Sequence, residues 1–380
     1  MTRKNHAMFP DATHDENAQQ DFVRSLMSHL YEEVMPGNRL LYDNQVVPKY
    51  LKEKGRPPNG RSEVRRALET EPYNQVWASL MRTSQEMMYT AVRPSIERQM
   101  PQLQQTAKKI GSALGSVKVD PDFEMPSYHT KVDIHCKPGA YHAQLDADDF
   151  LAGAEFDRTI MLYFQGVTGP LCDDIGQSLG QWVQEHYPDL NPKRILDMGC
   201  TIGHNTLPYA RLFPDAQIHG IDVAAPCLQY AHHRAEALET AVHFSQQNAE
   251  HTEFEDGSFD LIVSHAMLHE TSHKAGPRII KECHRLLRPG GVVLHMDSFG
   301  MTDPYYKYLN EWNALYNNEP YMGKVVDEDF RSMFDAAGFA KEAYFEHQIP
   351  SVLMPKRDSN KSGKTLGIGY YHTIGAEKQP

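Results

Sequence analysis

The sequence contains no run of eighteen apolar residues, so no membrane-spanning helix is expected and no membrane partner. Its opening, Met1 to Pro10, lacks the apolar core of a secretory signal. Cysteine is sparse. Cys136, Cys172, Cys200, Cys227 and Cys283 are odd in number, scattered and never spaced Cys-x-x-Cys. That argues against a disulfide framework or a thiolate zinc site and fits free thiols in a reducing, cytoplasmic setting. Basic charge is also short, 38 Lys and Arg against 50 Asp and Glu, a net charge of −12 with histidines neutral. A nucleic-acid partner is therefore disfavoured. The one basic run, Lys52 to Arg66, surrounds Pro57-Pro58 and reads as a solvated loop. Finally, no Gly-x-Gly-x-x-Gly follows the strand where a dinucleotide would sit, which weighs against a nicotinamide-dependent oxidoreductase.

At 380 residues the chain is long enough for two structural units. Residues 1–18 are polar and read as a mobile N-terminus. Residues 19–150 read as a helical substrate or lid unit that ends in a loop-rich connector. In its first helix Phe22, Leu26, Leu30 and Val34 recur every four residues, and Pro36-Gly37 is expected to end it. Residues 62–115 read as two or three helices with Trp77, Leu80, Met81, Met87, Met88 and Val92 on apolar faces. Pro94 and Pro101 are expected to separate them. The connector, 116–150, is broken by prolines and carries His129, His135 and His142.

Residues 151–380 alternate strand and helix. Strands are expected at 194–198, 217–222, 241–246, 259–264, 290–297, 340–349 and 367–377. This predicts an α/β, Rossmann-like, mostly parallel seven-stranded sheet with helices on both faces. Within it, Arg194-Ile-Leu-Asp-Met-Gly-Cys-Thr-Ile-Gly203 reads as strand, tight turn and helix start. Such a turn lets a ligand approach the backbone. A second strand ends at Asp222, the spacing at which an acid meets ribose hydroxyls. Gln247-Asn-Ala-Glu250, Phe254-Glu-Asp-Gly-Ser-Phe-Asp and Arg288-Pro-Gly-Gly291 follow in order.

In this order and spacing the set resembles the class I S-adenosylmethionine-dependent methyltransferases. The likeness is to the branch acting on small molecules such as quinones and natural products, over roughly residues 175–298. It implies S-adenosyl-L-methionine as cofactor. Gly199 and Gly203 would give backbone access to its methionine part, and Asp197 would organise the turn. Asp222, with Val223 beside it, would take the ribose hydroxyls. Asn248 and Ala249 would meet the adenine, and His265 would border the site. Thr201 stands where the family commonly has glycine, which leaves open a degenerate cofactor-binding protein without methyl transfer. The final strand is expected to run antiparallel, as in the family.

The acceptor side is less defined. His265, His269 and His273 recur at four-residue steps, but relatives carry Leu-His here without metal, and no metal is expected. His269, just beyond a strand end, is the candidate proton acceptor, with Glu270 and His142 as further candidates. Residues 299–327 form an insertion holding Tyr305, Tyr306, Tyr308, Trp312, Tyr316 and Tyr321. Together with connector residues 126–142 it is expected to close over a small-molecule methyl acceptor from opposite sides. O- or N-methylation is favoured over C-methylation. A homodimer is an open alternative to a monomer.

Overall fold

The computed structural model describes residues 6–146, 148–353 and 369–379. Among these, eight strands form one sheet: β1 (Ser116–Lys118), β2 (Arg194–Met198), β3 (Gln217–Asp222), β4 (His243–Gln246), β5 (Phe259–His265), β6 (Leu287–Met296), β7 (Tyr344–Pro350) and β8 (Tyr370–Glu377). Their order is β1-β4-β3-β2-β5-β6-β8-β7. All neighbours are parallel except β8, which runs antiparallel to β6 and β7. The first two residues of the strand expected at 367–377 lie outside the described residues.

The core strands form where apolar runs allow burial on both faces. Successive side chains point to opposite sides, so each run splits between two cores. Ile195, Leu261, Val263, Val292 and Leu294 face helices α7 (Asp174–His186), α8 (Leu207–Leu212) and α9 (Ala225–Ala237). Leu196, Ile262 and Val293 face α10 (Ala275–Leu286) and α13 (Phe330–Ala337). The strand number exceeds the expected seven because Ser116–Lys118 adds to the edge beside β4, pairing Ser116 with His243. Three residues are too few to show an alternating pattern in the sequence.

The N-terminal unit departs from expectation in four ways. The N-terminus is anchored from His6 onward: Met8 and Phe9 are buried, each worth about 1.5–3 kcal/mol. His6 and Tyr230 both hydrogen-bond Asp157, at 3.0 and 2.8 Å. Helix α1 (His14–His29) starts at a capping box, with Thr13 accepting from the Glu16 N–H and Glu16 accepting from the Thr13 N–H. Second, the face of α1 is rotated. Gln20, Val23, Met27 and Leu30 are buried while Phe22 is 60% exposed.

Third, Pro36 does not end the helix. A five-residue π-turn (Leu30–Val34) precedes it, α2 (Met35–Leu41) continues, and a second π-turn (Tyr42–Val46) leads into α3 (Val47–Lys54), which contains Pro48. The wider turns accommodate residues without an N–H. Fourth, after α4 (Arg61–Leu68) one continuous helix, α5 (Pro72–Ile110), carries both Pro94 and Pro101 in its interior. Tertiary contacts outweigh the lost bonds. Trp77, Met88, Val92, Ile96 and Leu103 are buried, and Arg93 is fixed on Glu155 of α6 (Leu151–Tyr163) at 2.9 Å.

The aromatic insertion forms α11 (Pro304–Tyr316) and α12 (Met322–Val325), with Asp303 capping the first at the Tyr305 N–H. Tyr305 and Tyr308 pack with Tyr42, Val46, Val64 and Leu68, so part of the insertion cements the two units together. Among the described residues, no helix is long and apolar enough to cross a membrane.

Candidate active site

The strand order reverses at β2, which has β3 on one side and β5 on the other. In open α/β sheets the crevice beyond the strand ends at such a point is where ligands bind. A cavity of about 870 Å³ opens there, reaching the wall built by the N-terminal unit. That is toward the upper end of small-molecule sites, ~300–1,000 Å³.

Its floor is the turn after β2. The Gly199 and Cys200 N–H groups both donate to the Ile221 carbonyl, at 2.8 and 3.0 Å. Gly199 has φ +74°, and a Cβ there would lie 2.6 Å from Met267 Cγ. Gly203 has φ +72°, and its Cβ would lie 2.9 Å from Phe244. Both glycines are therefore required by conformation and space. Thr201 also has positive φ, +48°. That explains the glycine common in the resembling family, and the turn survives without it. The Thr201 N–H donates to Asp222 Oδ2 and the Ala224 N–H to Asp222 Oδ1, each at 2.9 Å. Burial pushes the Asp222 carboxyl up, while these donors pull it down.

Asp197 and Gly203 lie behind the cavity wall. The other nine predicted residues line the cavity: Gly199, Asp222, Val223, Asn248, Ala249, His265, His269, Glu270 and His142. Asp197 accepts from Thr206 Oγ1 at 2.5 Å and meets His265 Nδ1 at 3.1 Å. His265 Nε2 in turn meets the Tyr209 hydroxyl at 3.1 Å, so both ring nitrogens are engaged. Asn248 Oδ1 accepts the Glu250 N–H at 2.9 Å, which spends one of its two lone pairs locally.

The four-step histidines separate. His265 ends β5, residues Leu268–Glu270 form a single 3₁₀ turn, and His273 pairs with Glu328 outside the cavity. His269 instead joins residues the sequence keeps far apart. Its Nδ1 meets Asp297 Oδ1 at 2.7 Å, and its backbone N–H donates to Asp297 Oδ2 at 3.0 Å. Its Nε2 lies 3.6 Å from Glu270 Oε1. His135 Nε2 is 2.7 Å from the same Glu270 oxygen, and His135 Nδ1 is 3.1 Å from Glu319 Oε1. Burial alone would push His135 down, but Glu319 and Glu270 hold it at about 10. His269 is likewise raised, with burial outweighed by Asp297 and Glu270. Among the described residues His142 has no such carboxylate partner, and burial lowers it.

Asp297 and Glu319 escaped sequence reading. Asp297 had a weak signal, since it directly follows β6 at the strand end facing the cavity. Glu319 had none, because its placement depends on insertion and connector meeting. They meet at one wall, where Asn318 Nδ2 donates to the Asp133 carbonyl at 3.0 Å. This differs from the expected closure from opposite sides. Tyr31, Trp77, Tyr89, Tyr141, Tyr163 and Trp312 supply the aromatic lining, with Trp77 and Trp312 rings 5.1 Å apart.

Residues 195–291 match the family described as "Methyltransferase domain". The chain is 30% identical over 207 residues to the demethylmenaquinone methyltransferase of Lactococcus lactis, covering 47% of this chain and 79% of that protein. It is 34% identical over 116 residues to the ubiquinone biosynthesis O-methyltransferase of Erwinia tasmaniensis, covering 30% and 45%. Among solved structures it is similar to the phosphoethanolamine N-methyltransferase 2 of Haemonchus contortus in complex with S-adenosyl-L-methionine. That match has 18% identity, a TM-score of 0.43, and covers 63% of this chain and 61% of that one. The oxidoreductase and degenerate-site alternatives find no support in the family match or in the two relatives. With its parallel sheet, glycine turn and strand-end acid in place, the chain belongs to the class I S-adenosylmethionine-dependent methyltransferases.

Proposed function

We propose that the enzyme methylates an oxygen or nitrogen atom of a small molecule held in the cavity. The observation that carries this reading is the continuity of one cavity from the Gly199–Asp222 crevice to the His135, His269, Glu270 and Glu319 cluster. S-adenosylmethionine, when bound, supplies a methyl already activated as a sulfonium, so the protein's task is positioning and proton handling.

The residues present suit that cofactor. The cradle at Gly199 is one that a Cβ would fill, and the Asp222 carboxylate keeps acceptor capacity beyond its two backbone bonds. We assign Gly199, Gly203 and Asp197 to the turn under the methionine part and Asp222 and Val223 to the ribose. Asn248 and Ala249 border the adenine, and His265 stiffens the floor through Asp197 and Tyr209. On the acceptor side His269, oriented by Asp297, and Glu270 flank the acceptor's nucleophilic atom; the proton it loses passes to Glu270 or to the neutral form of His269, which Asp297 and Glu270 disfavour. His142 contributes to the wall beside them. The aromatic lining favours a flat or cationic molecule and keeps water from the reacting atoms.

The test is formation of S-adenosylhomocysteine with a panel of phenols, carboxylic acids and amines. His269→Asn should abolish turnover with the best acceptor while leaving S-adenosylhomocysteine affinity within twofold, about 0.4 kcal/mol. Unchanged turnover would remove His269 from the acceptor site.

A further inference from the structure

The cluster that ends the cavity is chemically unusual. Three carboxylates, Glu270, Asp297 and Glu319, and two imidazoles, His135 and His269, converge from the connector, the turn after β5, the end of β6 and the insertion. Among the described residues, no Lys or Arg lies within ion-pair distance of any of these carboxylates; histidines are their only cationic neighbours. Buried carboxylates of this kind are paired or coordinate metals.

We propose that His135, His269 and Glu319 bind a divalent transition-metal ion that holds the methyl acceptor. Their ligand atoms already lie within 4.8 Å of one another. A zinc-type ion with bonds of ~2.0–2.2 Å requires only that they draw together by about an ångström or more. Two nitrogens and a carboxylate oxygen suit zinc, iron, cobalt or nickel and not magnesium or calcium, which prefer oxygen alone.

Three features show a wall built to hold these groups in place. Asp297 fixes His269 through Nδ1, leaving Nε2 to face the cluster, the carboxylate–histidine arrangement that orients metal ligands. Asn317 Nδ2 donates to Glu319. His135 and the following Cys136 both sit at φ +57°, and Gln85 Nε2 donates to the His135 carbonyl at 3.1 Å. A left-handed backbone at two successive non-glycine residues is strain that persists where surrounding structure imposes it, commonly at functional sites. The open side of the cluster faces the cavity and therefore the acceptor.

This inference rests on the methyl-transfer reading and changes its agent. A metal-bound acceptor oxygen or nitrogen would lose its proton more readily, the proton passing to Glu270 beside the ligands, and would be fixed for attack, with the ion acting as Lewis acid and template.

The experiment uses the full chain stripped with EDTA and titrated with Co²⁺ and, separately, Zn²⁺. Cobalt should give the d–d absorption bands of a low-coordinate nitrogen–oxygen site, saturating at one ion per chain, and zinc should displace it. His269→Ala and Glu319→Gln should each lose the bands, and Asp297→Asn should weaken binding by about 10–100-fold. His14→Ala, at an exposed site away from the cavity, should change nothing. S-adenosylhomocysteine binding is measured by calorimetry on the same samples and shows whether each variant is folded. If the homocysteine binds to wild type and no stoichiometric cobalt spectrum appears, the metal site is refuted and the methyltransferase reading stands. The metal site is equally refuted if the bands persist in folded His269→Ala and Glu319→Gln. If the homocysteine itself does not bind, the functional reading fails on its own.

Discussion

Replacing Asp222 by alanine should weaken the cofactor site and the fold together, and the structure separates the two. The carboxylate offers about four lone-pair sites, and the Thr201 and Ala224 N–H groups use two of them. The remaining two are assigned to the ribose hydroxyls. A hydrogen bond to a charged group contributes ~1.5–3 kcal/mol, so losing this recognition should cost about 3 kcal/mol or more, over 100-fold in Kd. Two backbone N–H groups also lose their acceptor in a buried turn, at ~1–3 kcal/mol each. The variant should therefore be measurably less stable as well as weaker in cofactor binding. Asp222→Asn divides the effects, because its one oxygen keeps one backbone bond while the charge is removed. Calorimetric titration with S-adenosylhomocysteine, well below the melting temperature, gives the affinity, and thermal unfolding gives the stability. A Kd for either variant within twofold of wild type would show that Asp222 serves only the turn.

Gly199→Ala should abolish cofactor binding, since its Cβ would meet Met267 at 2.6 Å in a left-handed backbone; retained binding by calorimetry would mean that the turn can open. Thr201→Gly should be tolerated, because removing a left-handed threonine recovers ~1–2 kcal/mol while added chain entropy returns ~0.5–1; loss of cofactor binding would show that the threonine shapes the turn. His295 provides a pH prediction. It is fully buried, bonded to Ser264 at 2.7 Å, and burial lowers it to about 4. Unfolded, it titrates near ~6.5, so its contribution is complete above that pH and is lost as pH falls toward 4; between pH 7 and 5 the loss is about 2 kcal/mol. A folded His295→Gln variant should show a shallower fall in melting temperature over that interval, and an identical fall would assign the acid sensitivity elsewhere.

What could be read from the sequence follows from the range of the forces involved. Buried parallel strands are continuous apolar runs with acids or glycines at their ends, so β2, β3, β5 and β6 and the cradle at Gly199 and Asp222 are written locally. The N-terminal unit is not. Pro36, Pro94 and Pro101 ordinarily end helices, yet here π-turns and packing around Trp77 and Arg93 override local preference. The α1 face was misassigned because Gln20 is buried, its side-chain N–H donating to the Ala91 carbonyl at 3.1 Å, while Phe22 faces outward. The acceptor end was legible only in His269, Glu270 and the connector histidines. Asp297 and Glu319 matter through partners 28 and 184 residues away, His269 and His135, and no sequence period carries such a pairing.

In the proposed reaction one cavity brings the cofactor's sulfur to face the His269 and Glu270 wall. A crystal structure of the full chain with S-adenosylhomocysteine tests it most directly. The ribose hydroxyls should lie on Asp222 and the adenine beside Asn248 and Ala249, with the sulfur directed toward His269. An adenosyl group lying elsewhere, or a sulfur turned away from the wall formed by His135, His269, Glu270 and Glu319, would contradict it.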